Sequence, residues 1–319
     1  MAKNKDEMHI ISASRRTDIP HYYAKWFNAR RKAGFAHYRT VFGGGKKGYF
    51  EVSLRPEDVI GYLFWTKYAG PFHAELELLR KEKVPFVFQY TITGYGKDVQ
   101  PGIPANDVAI KDFIAVRALL PGPEAIQWRY DPILISDKIY DYAWHVKNFT
   151  EIATGLSGYT RVVNVSFTEP YQKAIGKAPE GHKISWRQSE EQVDTIYKKH
   201  PELQAVGERE IELLFELEKI ARERGIQLRS CCNKEYSAKF PTAQCCGAEL
   251  FAPYGPILNL QVSGLPDGPS RPSCKCLKTV DIGMDNTCPG GCFYCYVTIS
   301  VEAAINNYKK HDPNAPMLR

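Results

Sequence analysis

A chain of 319 residues with 44% hydrophobic and 24% charged side chains has an ordinary globular composition and material for a large core. No run approaches the ~18–20 apolar residues a membrane span needs, and the start MAKNKDEMHIISAS carries too short an apolar stretch for a secretory signal, so a cytoplasmic protein with no membrane role is expected. The formal charge of +6 permits a nucleic-acid or phosphate-bearing substrate, yet no long Lys/Arg block argues for one.

In chain order, HIISAS (9–14) predicts a short buried strand, followed by helix-start chemistry at Asp18 and Pro20 and a helix stop at Gly34. FAHYRTVF (35–42) is a candidate second strand. GGGKKG (43–48) is a turn that lacks the Gly-Lys-Ser/Thr arrangement of a phosphate-binding loop. VIGYLFW (59–65) and VPFVFQYTIT (84–93) are the next strands, rich in β-branched and aromatic residues. Asp107 is a candidate cap for a helix carrying Val108, Phe113, Ile114 and Leu119, and AIQWRYD (125–131) is a strand. Ser136 and Asp137 introduce a helix with Ile139, Tyr142, Ala143, Val146, Phe149 and Ile152 at helical spacing. RVVNVSF (161–167) is a further strand, and Ser189 with Gln192 forms a capping-box pattern. REIELLFELEKIARERG (209–225) carries Ile211, Leu214, Leu217 and Ile220 on one side before Gly225 leads into IQLRSCC (226–232).

This β-then-α rhythm predicts parallel strands in a TIM-like (β/α) barrel or partial barrel over residues 1–232. Beyond 233, Pro, Gly and Cys rise and periodicity fades, so residues 233–319 read as a cysteine-rich cap packed on the barrel mouth. In such folds the site lies at the carboxyl ends of the strands. Polar residues gather there: Ser12, Arg15, Arg16 and Asp18 after the first strand, Thr66 and Lys67 after VIGYLFW, and Gln89 and Thr93 on the next. Arg129, Asp131 and Ser166 follow on later strands. Two arginines beside Asp18 suit a carboxylate or phosphate; the bland alternatives are surface arginines, and an Arg129–Asp131 pair that only closes a turn before Pro132. No HExxH or similar histidine pairing appears, and His9 reads as structural.

Nine cysteines all follow position 230: Cys231, Cys232, Cys245, Cys246, Cys274, Cys276, Cys288, Cys292 and Cys295. An odd, clustered set in a cytosolic chain argues for metal or cluster binding over disulfides. Cys288-x3-Cys292-x2-Cys295 sits on a loop with Gly290 and Gly291, whose backbone can wrap a compact cluster and turn amides toward its sulfurs. A 4Fe–4S cubane has four corners, so a local trio leaves one iron open to a small ligand. Structural zinc is the weaker reading, because paired CxxC knuckles are missing there. Of the remaining cysteines, Cys232, Cys245 or Cys246 (Cys246 preferred), Cys274 and Cys276 offer a second site for an auxiliary 4Fe–4S cluster or tetrahedral zinc, unless they are inert buried thiols.

Cys288-x3-Cys292-x-Tyr294-Cys295 resembles the signature of the radical S-adenosylmethionine superfamily. The resemblance implies a partial or full β/α barrel, an open iron that chelates S-adenosylmethionine (SAM), reductive cleavage to a 5′-deoxyadenosyl radical, and a reductant such as flavodoxin or ferredoxin. In that reading Ser12, Thr66, Gln89 and Thr93 at the strand ends and Tyr294 in the motif would contact the cofactor, and Arg15, Arg16, Asp18, Lys67, Arg129 and Asp131 would serve the reaction. More closely, the chain resembles a bacterial and archaeal family known only as a domain of unknown function, through SASRRTDIP (12–20), FWTK (64–67), QYTITGYG (89–96), WRYDPI (128–133), DIGMDNTCPGGCFYCY (281–296) and HDPNAP (311–316). Two departures stand out. The superfamily motif follows the first barrel strand near the N-terminus, whereas Cys295 lies 24 residues from the C-terminus (319 − 295), so a permuted arrangement is expected. No clear copy of the superfamily's Gly-Gly-Glu segment is present. The rival readings are a DNA-repair or tRNA-modifying protein with a structural cluster, its 19 Tyr and 5 Trp available to stack bases, and a non-enzymatic electron carrier or metal-binding protein.

Overall fold

Strands buried on both faces need continuous apolar runs, and those runs build one parallel sheet. The computed structural model describes residues 8–40, 43–177, 183–186, 193–231, 239–268 and 274–319. Its strands are β1 (His9–Ala13), β2 (Phe35–Tyr38), β3 (Phe50–Ser53), β4 (Val59–Thr66), β5 (Phe86–Thr91), β6 (Ile126–Ile133), β7 (Ile135–Ser136), β8 (Val162–Phe167), β9 (Ile184–Trp186), β10 (Gln204–Ala205), β11 (Gln227–Ser230) and β12 (Thr279–Asp281). The central sheet has seven strands in the order β11-β8-β6-β5-β4-β1-β12, every neighbouring pair parallel. Helices Ala24–Ala33, His73–Lys81, Asn106–Ala118, Tyr142–Leu156 and Glu208–Arg222 form the crossovers. The fold is mixed α/β. Among the described residues no pairing joins β11 to β12, so of the expected full or partial barrel the closed form is absent and the parallel strands stand in one seven-stranded sheet.

The membership of the sheet also differs from expectation. Among the described residues of FAHYRTVF, Phe35–Tyr38 form β2, which pairs antiparallel with β3 in a separate hairpin. Its polar, half-exposed positions, with His37 facing Glu51, do not suit a strand covered on both faces. The seventh place goes instead to β12, three half-buried residues too short to carry a periodic signal. The segment beyond 233 therefore supplies a strand, and Phe240, Leu250, Phe251, Val262, Ile282 and Leu318 pack into the same core as β1, β4 and β5.

Two helix starts differ from those expected. Ala105, not Asp107, precedes helix Asn106–Ala118, and Asp107 sits in its first turn. Ser136 lies in β7, and the next helix begins after Asp141, whose carboxylate accepts from the Trp144 amide. The capping box at Ser189 and Gln192 lies outside the described residues. Helix Glu208–Arg222 buries Leu214, Leu217 and Ile220 as its spacing requires, with Leu213 buried and the expected Ile211 only half-buried. No helix among the described residues is long and apolar enough to cross a membrane.

His145 lies wholly buried behind β6. Its Nε2 is 2.8 Å from the Leu134 carbonyl, which only accepts, so Nε2 carries the proton and Nδ1 accepts from the Tyr130 hydroxyl at 2.8 Å. Burial depresses its pKa from 6.5 to about 4. The unfolded chain thus binds a proton the native one refuses: this contribution is complete above about pH 6.5 and is lost as pH falls toward 4, to a total of about 3 kcal/mol. Urea midpoints measured between pH 7.5 and 4.5 should fall accordingly, and the slope should flatten in His145→Gln.

Candidate functional site

The site begins where β12 lies beside β1. Both strands end at the same edge, with Ser12 opposite Asp281. The Asp281 carboxylate accepts from Ser12 Oγ at 3.0 Å, Ser14 Oγ at 2.6 Å, the Arg15 amide at 2.9 Å, Arg16 Nε at 3.4 Å and the Gly283 amide at 2.9 Å. Arg16 also donates to the Gly283 carbonyl at 2.6 Å and pairs with Asp285 at 3.5 Å. Thr17 and Thr287 hydroxyls meet at 2.7 Å, and the Tyr23 hydroxyl donates to the Thr287 carbonyl at 2.6 Å. Gly283 has to be glycine: a Cβ there would stand 1.9 Å from Ser14 Oγ. Residues 12–17 thus grip 281–287 and aim the following loop across the sheet's carboxyl edge.

That loop carries Cys288, Cys292 and Cys295. Its far side is held by the loop after β5, through Gly102 N–H to Gly290 O at 3.1 Å and Phe293 N–H to Val99 O at 3.2 Å. Gly291 has φ +72°, and Pro101 leaves no room for a Cβ. Lys177 Nζ donates to the carbonyls of Cys295 at 3.2 Å and Thr298 at 3.0 Å. All three cysteines line a cavity of about 280 Å³ at the strand ends, near the lower end for a small-molecule pocket. Burial raises the Cys288 and Cys292 thiols above the usual range, so a metal arriving there displaces protons.

Cations surround these sulfurs. Asp18 caps the short helix Ile19–Tyr22, accepts from Thr66 Oγ1 at 2.7 Å and from the Lys67 amide at 2.8 Å, and its own amide faces Cys288. Burial raises its pKa. Lys67 lies over the Tyr294 ring at 5.5 Å, beside Cys292 and Cys288, and its buried Nζ makes no hydrogen bond. Burial lowers its pKa. Arg15 and Arg129 both lie against the Trp65 ring, at 5.0 and 4.8 Å. Arg129 pairs with Asp131, which also accepts from Ser166. Arg129 therefore does close the pair with Asp131, and it faces the cavity as well.

Of the expected residues, Arg15, Arg16, Asp18, Thr66, Lys67, Arg129, Asp131, Tyr294, Cys274 and Cys276 line this cavity with the trio. Ser12, Gln89, Thr93 and Cys246 do not. Ser12 is spent on Asp281 and Trp65. Gln89 belongs to a buried amide network with Gln127 and Asn164 beneath the floor, and Thr93 accepts from Gln100 at 2.6 Å. Cys246 is fully buried in the core, whereas its neighbour Cys245 and Cys231 reach the cavity. Cys232 lies outside the described residues. Sequence reasoning assigned no role to Asp281 or Trp65, and it preferred Cys232 and Cys246 to their neighbours Cys231 and Cys245. The DIGMDNT stretch was the one signal for Asp281. Among the described residues no three His, Cys, Asp or Glu side chains already stand in metal-ligating geometry.

A parallel α/β sheet with a cysteine-lined, cation-rich cavity at its carboxyl edge describes the class. Over residues 10–297 the chain matches, and belongs to, the family described as "Domain of unknown function (DUF1848)". No curated protein and no solved structure matches it.

Two outcomes test this geometry. Asp281→Ala removes the acceptor for five donors and should cost about 2–4 kcal/mol in urea denaturation, with earlier proteolysis of the segment after β12. Lys67→Met replaces an unpartnered buried amine by an apolar chain of similar length. It should raise the stability of the metal-free protein by about 1–3 kcal/mol in thermal unfolding.

Proposed function

We propose that the protein is a radical SAM enzyme whose 4Fe–4S cluster is held by Cys288, Cys292 and Cys295. The observation that carries this reading is the position of the motif in the sheet. β12 is the edge strand beside β1, so in spatial order the cysteine loop follows the first strand, where the superfamily carries its motif. The chain-order departure then amounts to a permutation of the same arrangement.

The residues present fit such a group. Three thiols from one short loop open into one cavity, and the unpartnered Lys67 ammonium stands beside two of them as a counter-charge for an anionic thiolate cluster. When bound, such a cluster would supply the electron for reductive cleavage of SAM. The chain's own task is to orient and to shield. Thr66, Lys67 and Tyr294 remain as contacts for the nucleotide or amino-acid part, while Arg15, Arg129 and Asp131 face the space left for substrate.

Anaerobically reconstituted protein incubated with dithionite and SAM should accumulate 5′-deoxyadenosine and methionine in equal amounts. The Cys288/Cys292/Cys295→Ala variant should form neither. Protein with a full complement of iron and sulfide that neither binds nor cleaves SAM would refute the reading.

A further inference from the structure

The same cavity is lined by a second group of sulfurs. Cys231, Cys245, Cys274 and Cys276 all line it. Cys245 contacts Cys231 and Cys276 through thiol hydrogen bonds, and Cys276 contacts Cys274 in the same way. We propose that these four cysteines are the ligands of a second, four-thiolate metal centre, a tetrahedral zinc or a 4Fe–4S cubane, separate from the site of Cys288, Cys292 and Cys295.

Three chain segments meet there, and the backbone stitches them together. The Cys231 amide donates to the Val165 carbonyl at 2.9 Å, placing Cys231 just past the carboxyl end of β11. Ser230 exchanges hydrogen bonds with Pro241 and Ala243 at 2.9 and 2.8 Å, bringing 243–245 alongside. The Leu277 amide donates to the Cys246 carbonyl at 2.9 Å, and Gln244 Nε2 to the Lys275 carbonyl at 2.8 Å, fixing the Cys-x-Cys segment against 244–246. Gln89 Nε2 holds the Cys245 carbonyl at 2.9 Å. With that carbonyl pinned, Cys245 lines the cavity, whereas Cys246, though near Cys274 and Cys276, does not. The ligand set is therefore Cys245 rather than Cys246.

The surroundings suit an anionic complex. Four thiolates around Zn²⁺, or around a cubane core of charge 2+, leave a net charge of about −2. Arg129 donates to Cys245 Sγ at 3.7 Å, and Arg15 faces Cys276 and Cys245 with its buried Nε making no hydrogen bond. Protonated thiols satisfy one another by hydrogen bonds. Deprotonated ones repel unless a metal joins them, so binding should release protons. With four protein ligands such a centre has no open position, unlike the trio.

The test removes the trio first, so the outcome is independent of the radical reading. Cys288/Cys292/Cys295→Ala protein, purified anaerobically with zinc, iron and sulfide supplied, should retain either about one zinc or about four iron and four sulfide per chain. X-ray absorption at that metal's edge should show a sulfur shell near ~2.3 Å with four sulfurs around zinc. Added to this background, Cys245→Ser or Cys274→Ser should lower the retained metal at least about tenfold, while Cys246→Ser should leave it unchanged. Zinc or iron identifies the centre, and either supports the proposal. A folded trio variant, verified by circular dichroism, that retains less than about a tenth of an equivalent of any metal overturns it. So does equal loss from Cys246→Ser and Cys245→Ser.

Discussion

The site depends on one carboxylate. Asp281 lies at the end of a three-residue strand that burial alone would hold weakly, and five donors from residues 12–16 and 283 converge on it. Charge-assisted hydrogen bonds of this kind are short, directional and about twice as strong as neutral ones. They offset what the short strand lacks in apolar contact. The clamp also defines the geometry of the cavity, because the next seven residues lead directly to Cys288. Arg16, which the sequence suggests as a reactive residue, belongs to this clamp through Asp281, Gly283 and Asp285.

Above the clamp, the cavity gathers cations around sulfur. Lys67, Arg15 and Arg129 are brought to the sheet edge by three different strands, β4, β1 and β6. Trp65 supports both arginines on its ring, an arrangement that desolvates them without removing their charge. A buried amine with no partner costs stability, and two unpartnered basic nitrogens, on Lys67 and Arg15, border one cavity. That cost is intelligible if the cavity receives negative charge. Below, the Gln89, Gln127 and Asn164 side-chain amides hydrogen-bond to one another.

Much of this was legible in the chain. Six of the seven sheet strands announced themselves as β-branched and aromatic runs, because strands covered by helices must be apolar on both faces. Polar residues at their carboxyl ends pointed to one rim, and Arg15, Thr66, Lys67, Arg129 and Asp131 do meet there. The cysteine trio was plain from its spacing. β12 was not legible, since Thr-Val-Asp holds one apolar residue and gains its place from pairing and from Asp281. Gln89 and Thr93 misled for a related reason: alternation along a strand or its continuation places some polar groups under the floor, where other amides and hydroxyls satisfy them.

By itself, then, the sequence determined the local patterns: which runs become most of the sheet strands and the main helices, and that three thiols share one loop. These follow from periodicity and spacing, which act over a few residues. Only the tertiary structure decided that the last strand lies beside the first, that Cys245 and not Cys246 faces the cavity, and that two groups of sulfurs share it. Those outcomes rest on pairings between residues far apart in the chain, such as Ser12 with Asp281, 269 positions away. No local pattern encodes such pairings, because they are selected by the packing of the whole sheet.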